Sequence, residues 1–107
     1  MRKLVRERVV AKFENANDYP SGDAADLGAM PDRMAVTTDS YVVSPLFFPG
    51  GDIGSLAVHG TVNDLAMAGA TPLYLTLALI IEEGFPFTDF DRIIDSVAKS
   101  AMQCGVK

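Results

Sequence analysis

At 107 residues, 49% hydrophobic and 21% charged, the chain has the composition of a soluble globular protein and the length of one domain with a modest core. The net charge of -5 conceals an asymmetry: Arg2, Lys3, Arg6, Arg8 and Lys12 are five of the nine bases, and of the fourteen acids only Glu7 precedes Phe13, leaving four bases against thirteen acids in the body of the chain, which excludes unaided nucleic-acid binding. The longest apolar run, Pro72 to Ile81, falls short of the ~18 residues of a membrane span, and the single cysteine excludes an internal disulfide, so a cytoplasmic protein is expected.

The first predicted element is a short amphipathic helix from Arg2 to Glu14, with Val5, Val9 and Phe13 on one stripe. Its bases read as a solvated face rather than a targeting peptide, since Glu7 and Glu14 interrupt them and no apolar signal core follows. Asn15 to Pro31 collects Asn, Asp, Gly, Ser and two prolines, and is expected to be a mobile loop without a helix. Arg33 to Val43 reads as a strand with Ala35, Thr37, Asp39, Tyr41 and Val43 on one face. Ser44 to Asp52 is then a loop presenting Phe47 and Phe48 ahead of a Gly50-Gly51 turn.

A second helix is predicted from Ile53 to Ala68, with Asp52 as N-cap and Gly69 as terminator. Its first turn, beside Gly50 and Gly51, is a weak candidate anion site. Gly60 inside this helix costs ~1 kcal/mol relative to alanine, which suggests close backbone or ligand approach, packing explaining it as well as a nucleotide does. Leu73 to Glu83 alternates apolar residues on both faces and reads as a strand covered on both sides. The last helix opens at Thr88 in a capping-box-like start with Asp91, buries Phe90, Ile93, Ile94, Val97 and Ala101, and ends at Gly105. Two strands make a poor sheet, so the pattern reads as a fragment or as a sheet completed by a partner.

Acidic and amide side chains set into apolar elements need compensation by a cation, a ligand or hydrogen-bond donors. Asp39, Asn63 and Asp64 are therefore the candidate site residues, with Asp39 and Asp64 as ligands of a hard metal. Each also has a plain structural alternative: Asp39 as a turn former, Asp64 as a solvated helix residue and Asn63 as a cap or bridge. His59 is better read as a hydrogen-bonded structural residue, and Cys104 as a small apolar one at a helix end.

The run from Thr37-Thr38-Asp39-Ser40-Tyr41 through Pro45-Leu46-Phe47-Phe48-Pro49-Gly50-Gly51-Asp52 and His59-Gly60-Thr61-Val62-Asn63-Asp64 to Ile81-Glu82-Glu83-Gly84 resembles the HypE family of hydrogenase expression/formation proteins. That family lies in the superfamily of aminoimidazole ribonucleotide synthetase, thiamine-monophosphate kinase and selenophosphate synthetase. The resemblance is good over about 33 to 107 and looser over the first helix. It implies an α+β (α/β) fold, a mixed sheet packed with helices, of which residues 1 to 107 would be a truncated N-terminal ATP-binding and dimerisation domain lacking the C-terminal domain.

The resemblance further implies an ATP-dependent carbamoyl dehydratase of nickel-iron hydrogenase maturation, which converts a C-terminal cysteine thiocarboxamide to a thiocyanate destined for the iron cyanide ligands. ATP and Mg2+ are the implied cofactors, with Asp39 and Asp64 holding the metal and Asn63 beside them. The implied partners are a second copy of the chain, the carbamoyltransferase HypF and the HypC–HypD complex, with no nucleic acid and no membrane. The family's glycine-rich segment before the first helix, the strand after the last helix and the Pro-Arg-Ile-Cys tail are not in the sequence, so no catalytic residue is assigned and the chain alone is expected to be inactive. Two other readings stay open: another ATP-using member such as thiamine-monophosphate kinase, and a non-enzymatic dimerisation module.

Overall fold

A computed structural model describes residues 26–106, together with Arg8, Val9, Lys12 and Ala24. The regular elements are a hairpin of β1 (Phe47–Phe48) and β2 (Gly51–Asp52), then helices α1 (Ile53–Met67) and α2 (Phe87–Cys104). The hairpin pairs Phe47 with Asp52 and Phe48 with Gly51 in antiparallel register. Pro49 and Gly50 form its turn; proline presets φ at the first central position, and Gly50 takes the φ of +91° that side chains resist at the second.

The hairpin leads directly into α1, because Asp52 ends one element and caps the other. Its carboxylate accepts from Ser55 N–H at 2.9 Å while Ser55 Oγ accepts from Asp52 N–H at 3.0 Å, a reciprocal capping box. Both helices close in the Schellman pattern: Ala70 N–H reaches Leu65 C=O and Gly69 N–H reaches Ala66 C=O after α1, while Val106 N–H reaches Ala101 C=O and Gly105 N–H reaches Met102 C=O after α2. Gly69 and Gly105 supply the left-handed residue that each closure requires.

The core lies between the helices. From α2 come Phe90, Ile94, Val97, Ala98 and Ala101, on the stripe expected of an amphipathic helix, with Val106 tucked in after the closure; from α1 come Gly54 and Val58. Gly54 sets how closely the helices approach, since a Cβ there would lie 2.6 Å from Ile93 C=O and 3.1 Å from Val97 Cγ2. Gly54→Ala is therefore expected to lower stability by about 1 to 3 kcal/mol despite alanine's better helix propensity. Chemical denaturation of the isolated chain reads this, and an unchanged midpoint would show that the helices can part at no cost.

Arg92 stacks on the Phe47 ring, 3.8 Å from its centroid, and ties the hairpin to α2. Arg8 sits 4.1 Å over the Phe87 ring and pairs with Asp91 at 2.7 Å, and Lys12 pairs with Asp95 at 3.0 Å. The two bases and the two acids are each four residues apart, and each base meets its own acid along α2. These residues thus lie against α2 and are not simply solvated, although partly exposed pairs of this kind are worth only about 0–1 kcal/mol each.

Three sequence expectations need correction or restriction. Neither Arg33 to Val43 nor Leu73 to Glu83 forms a ladder among the described residues: a strand needs a neighbour for its N–H and C=O groups, and the described part of the chain supplies none. Val36 and Val42 are 90% and 99% exposed, and Ile80, on the segment whose apolar pattern predicted cover on both faces, is 104% exposed. The second correction concerns α2, which begins at Phe87 behind Pro86, with no side-chain cap, so the Thr88 capping box does not form. Proline's fixed φ of -62° already directs the chain into the first turn. Finally, the helix from Arg2 to Glu14 lies outside the described residues apart from Arg8, Val9 and Lys12, as does most of the 15 to 31 loop. Of that loop, 26–31 and Ala24 carry neither helix nor strand.

Among the described residues, no helix is long and apolar enough to cross a membrane.

Candidate functional site

The candidate residues sit on two segments that the fold lays side by side. Asp39 is exposed in the segment that runs from Arg33 to Val43, and one of its carboxylate oxygens accepts from Ser40 N–H at 2.8 Å. Thr37, Tyr41 and Val43 on the same alternation are half-buried while Val42 is bare, so this side of the segment faces the protein. Asn63 and Asp64 are exposed on the last two turns of α1.

The contact between the two segments is the Tyr41 ring. It lies on Gly60, where an added Cβ would collide with the Tyr41 hydroxyl oxygen and stand 2.9 Å from Cζ, and its hydroxyl is 3.5 Å from Thr61 Oγ1. Gly60 is thus explained by a side chain packing on the helix backbone, one of the causes its cost allowed. Asp39 and Tyr41 alternate onto one side of an extended segment, and Gly60 and Asp64 are one helical turn apart on one face, so the Tyr41–Gly60 contact is close along the chain to both acidic residues. Sequence reading flagged Gly60 but not Tyr41; a helix-interior glycine paired with an aromatic on a nearby alternating segment is the signal that would have found it.

Among the described residues no group of three or more His, Cys, Asp or Glu side chains could enclose a metal ion. Asp39, Asn63 and Asp64, the residues singled out from the sequence, carry oxygen donors of the kind a hard cation takes and not the nitrogen and sulfur donors of a closed zinc-type cage. The N-terminus of α1, considered as an anion site, is already occupied by Asp52 through the capping box. His59 pairs with Cys104 across the helix interface, Nδ1 to Sγ 3.7 Å, in keeping with its structural reading. At the other end of the 73–81 segment, Tyr74 Oη donates to Leu27 C=O at 3.2 Å.

Comparison with known proteins identifies the relationship. Residues 21–107 match the model of "AIR synthase related protein, N-terminal domain". The chain belongs to the AIR synthase-related family. Its motifs resemble HypE within that family, and the relatives agree: the carbamoyl dehydratase HypE of Cupriavidus necator is 56% identical over 106 residues, covering 97% of this chain and 30% of its own length. A crystal structure of the hydrogenase maturation protein HypE in complex with ATP superposes with a TM-score of 0.88 at 44% identity, over 97% of this chain and 31% of the other. A HypE–HypF complex superposes with a TM-score of 0.64 at 64% identity, over 64% of this chain and 23% of the other. The α+β architecture of the AIR synthase-related N-terminal domain is thereby established, and the chain spans about 30% of the length of the curated relatives it matches.

Proposed function

We propose that this chain is the nucleotide-binding N-terminal portion of an ATP-dependent carbamoyl dehydratase that serves nickel-iron hydrogenase maturation. The observation that carries the proposal is the 44% identity, across nearly the whole chain, to a HypE that was crystallised with ATP. The reaction removes the elements of water from a thiocarbamate. The oxygen of an S-carbamoyl cysteine, R–S–C(=O)–NH2, attacks the γ-phosphorus of ATP and displaces ADP; the nitrogen then gives up its two protons as the C–O bond breaks, phosphate leaves with the oxygen, and R–S–C≡N remains. Amide oxygen is a poor leaving group until it is phosphorylated, which is why the dehydration requires ATP.

In this reading Asp39 and Asp64 hold magnesium on the triphosphate, and Asn63 lies alongside. Magnesium supplies neutralisation of phosphate charge during transfer. The chain's own residues orient the nucleotide and keep the two carboxylates on one rim. The cysteine-bearing tail, the HypF that loads it and the HypC–HypD complex that receives the cyanide belong to the full-length protein's cycle, which fits the cytoplasm. HypF as a partner is supported by the HypE–HypF complex among the similar structures.

A second copy of the chain is the further partner we propose. The two extended segments, 33–43 and 73–83, carry apolar residues on open faces and unpaired backbone groups, and pairing them across a two-fold axis gives both segments a ladder and a cover.

The decisive experiment gives the full-length protein a carbamoylated C-terminal cysteine with magnesium and ATP. The expected result is phosphate release together with loss of the mass of one water from the C-terminal peptide. Phosphate release without that loss would be ATP hydrolysis uncoupled from dehydration and would reject the dehydratase reading; transfer of the γ-phosphoryl group to added thiamine monophosphate would favour a kinase of the same superfamily, and no ATP consumption in either assay would reject the enzymatic reading.

A further inference from the structure

We propose that Tyr41 is a positioning residue, which sets the register of the Asp39 segment against α1 so that Asp39 and Asp64 act on one cation. The inference rests on the proposed assignment of those two carboxylates to magnesium-ATP. Pairing in a sheet fixes the Asp39 segment against a neighbouring strand and not against α1, so side-chain packing between segment and helix decides where along α1 its carboxylate falls. Tyr41 locates the segment on the helix by seating its ring on Gly60, with its hydroxyl 3.5 Å from Thr61 Oγ1.

Gly60 is the other half of the device. It sits mid-helix, where glycine costs ~1 kcal/mol against alanine, and the space its missing Cβ leaves is the space the Tyr41 ring and hydroxyl occupy. Asp64 is one turn further along the same face, and Asp39 is two residues back on the same side of the segment, so one aromatic contact indexes both ligands at once. The ring carries the indexing, because a 3.5 Å separation between hydroxyls is at the edge of hydrogen-bonding distance.

The test is a titration of the full-length protein with ATP and Mn2+, the bound manganese read by electron paramagnetic resonance, with thermal unfolding measured alongside. Tyr41→Ala is expected to weaken Mn-ATP binding by about tenfold, in line with the cost of small misplacements of a reacting or ligating group. Tyr41→Phe is expected to stay within about threefold of wild type, because it keeps the ring while giving up only the marginal hydroxyl contact. Gly60→Ala should match Tyr41→Ala, and adding it to Tyr41→Ala should cost little more, since the group it collides with has gone; this non-additivity is the sign of one shared contact. Should Tyr41→Ala fail to fold, Tyr41→Leu serves in its place. A Tyr41 variant that melts lower yet binds Mn-ATP as wild type would overturn the positioning role, as would additive effects of the two substitutions. Asp64→Asn run in the same titration separates the levels: normal binding there rejects the metal assignment itself, whereas lost binding there with normal binding in Tyr41→Ala rejects only the role of Tyr41.

Discussion

Asp64→Asn in the full-length protein is expected to weaken magnesium-ATP binding or turnover on the order of 10²-fold, the scale of removing one preorganised electrostatic partner of a phosphoryl transfer. The substitution keeps the size and polarity of the side chain and removes only its charge, on an exposed position of α1 that packs against nothing in the core. The fold should therefore persist, and if Asp39 and Asp64 share one cation as proposed, the metal-free variant should be slightly more stable, because the substitution removes the repulsion between the two carboxylates. Isothermal titration with magnesium-ATP and a melting curve without metal measure the two halves of this expectation. His59→Ala is the contrast: its partner is Cys104 on the other helix, so it should alter stability modestly and nucleotide binding little. Normal ATP turnover by the Asp64 variant would remove Asp64 from the site.

The second large effect is expected at Ile80. It is fully exposed in the single chain, at the centre of an extended segment whose composition is that of a strand buried on both faces. If two copies pair through the 33–43 and 73–83 segments, Ile80 becomes buried, and Ile80→Lys places a charge where a large aliphatic group had been removed from water. At least about 2 kcal/mol should be lost from association, roughly thirtyfold in dissociation constant. Sedimentation across a concentration series reads this directly. A monomeric wild type at high concentration, or a dimer indifferent to Ile80→Lys, would require another cover for these segments.

The helices were legible in the sequence because their signals are local. Asp52 and Ser55 at the start of α1, Gly69 and Gly105 at the two closures, and the Phe90, Ile94, Val97 stripe of α2 each act within a turn or two of chain. The start of α2 was misplaced by one residue because Thr88 and Asp91 imitate a capping box while Pro86 sets the entry. The extended segments were legible only as faces. The pattern in Leu73 to Glu83 reports that both sides are to be covered, and that in Arg33 to Val43 only which residues share a face, but no property of a strand's own residues names its neighbour. For the same reason Asp39 and Asp64 could be proposed from their types, whereas the contact between their segments, the Tyr41 ring on Gly60, depends on tertiary packing that spacing does not encode.

The self-capping of α1 has a consequence for the form in which nucleotide approaches. An uncapped helix start would offer bare N–H groups and a partial positive charge to a polyphosphate, but in α1 Asp52 already fills that position with a carboxylate. Arg8, Lys12 and Arg92 are likewise engaged, by Asp91, Asp95 and the Phe47 ring, in a chain of net charge -5. On the proposed function, a surface with these bases engaged would favour the nucleotide complex whose charge a divalent ion has halved over the free tetra-anion. On that reading the apparent affinity for ATP should follow the concentration of the magnesium complex rather than that of total nucleotide, so that two ionic states of one molecule are told apart.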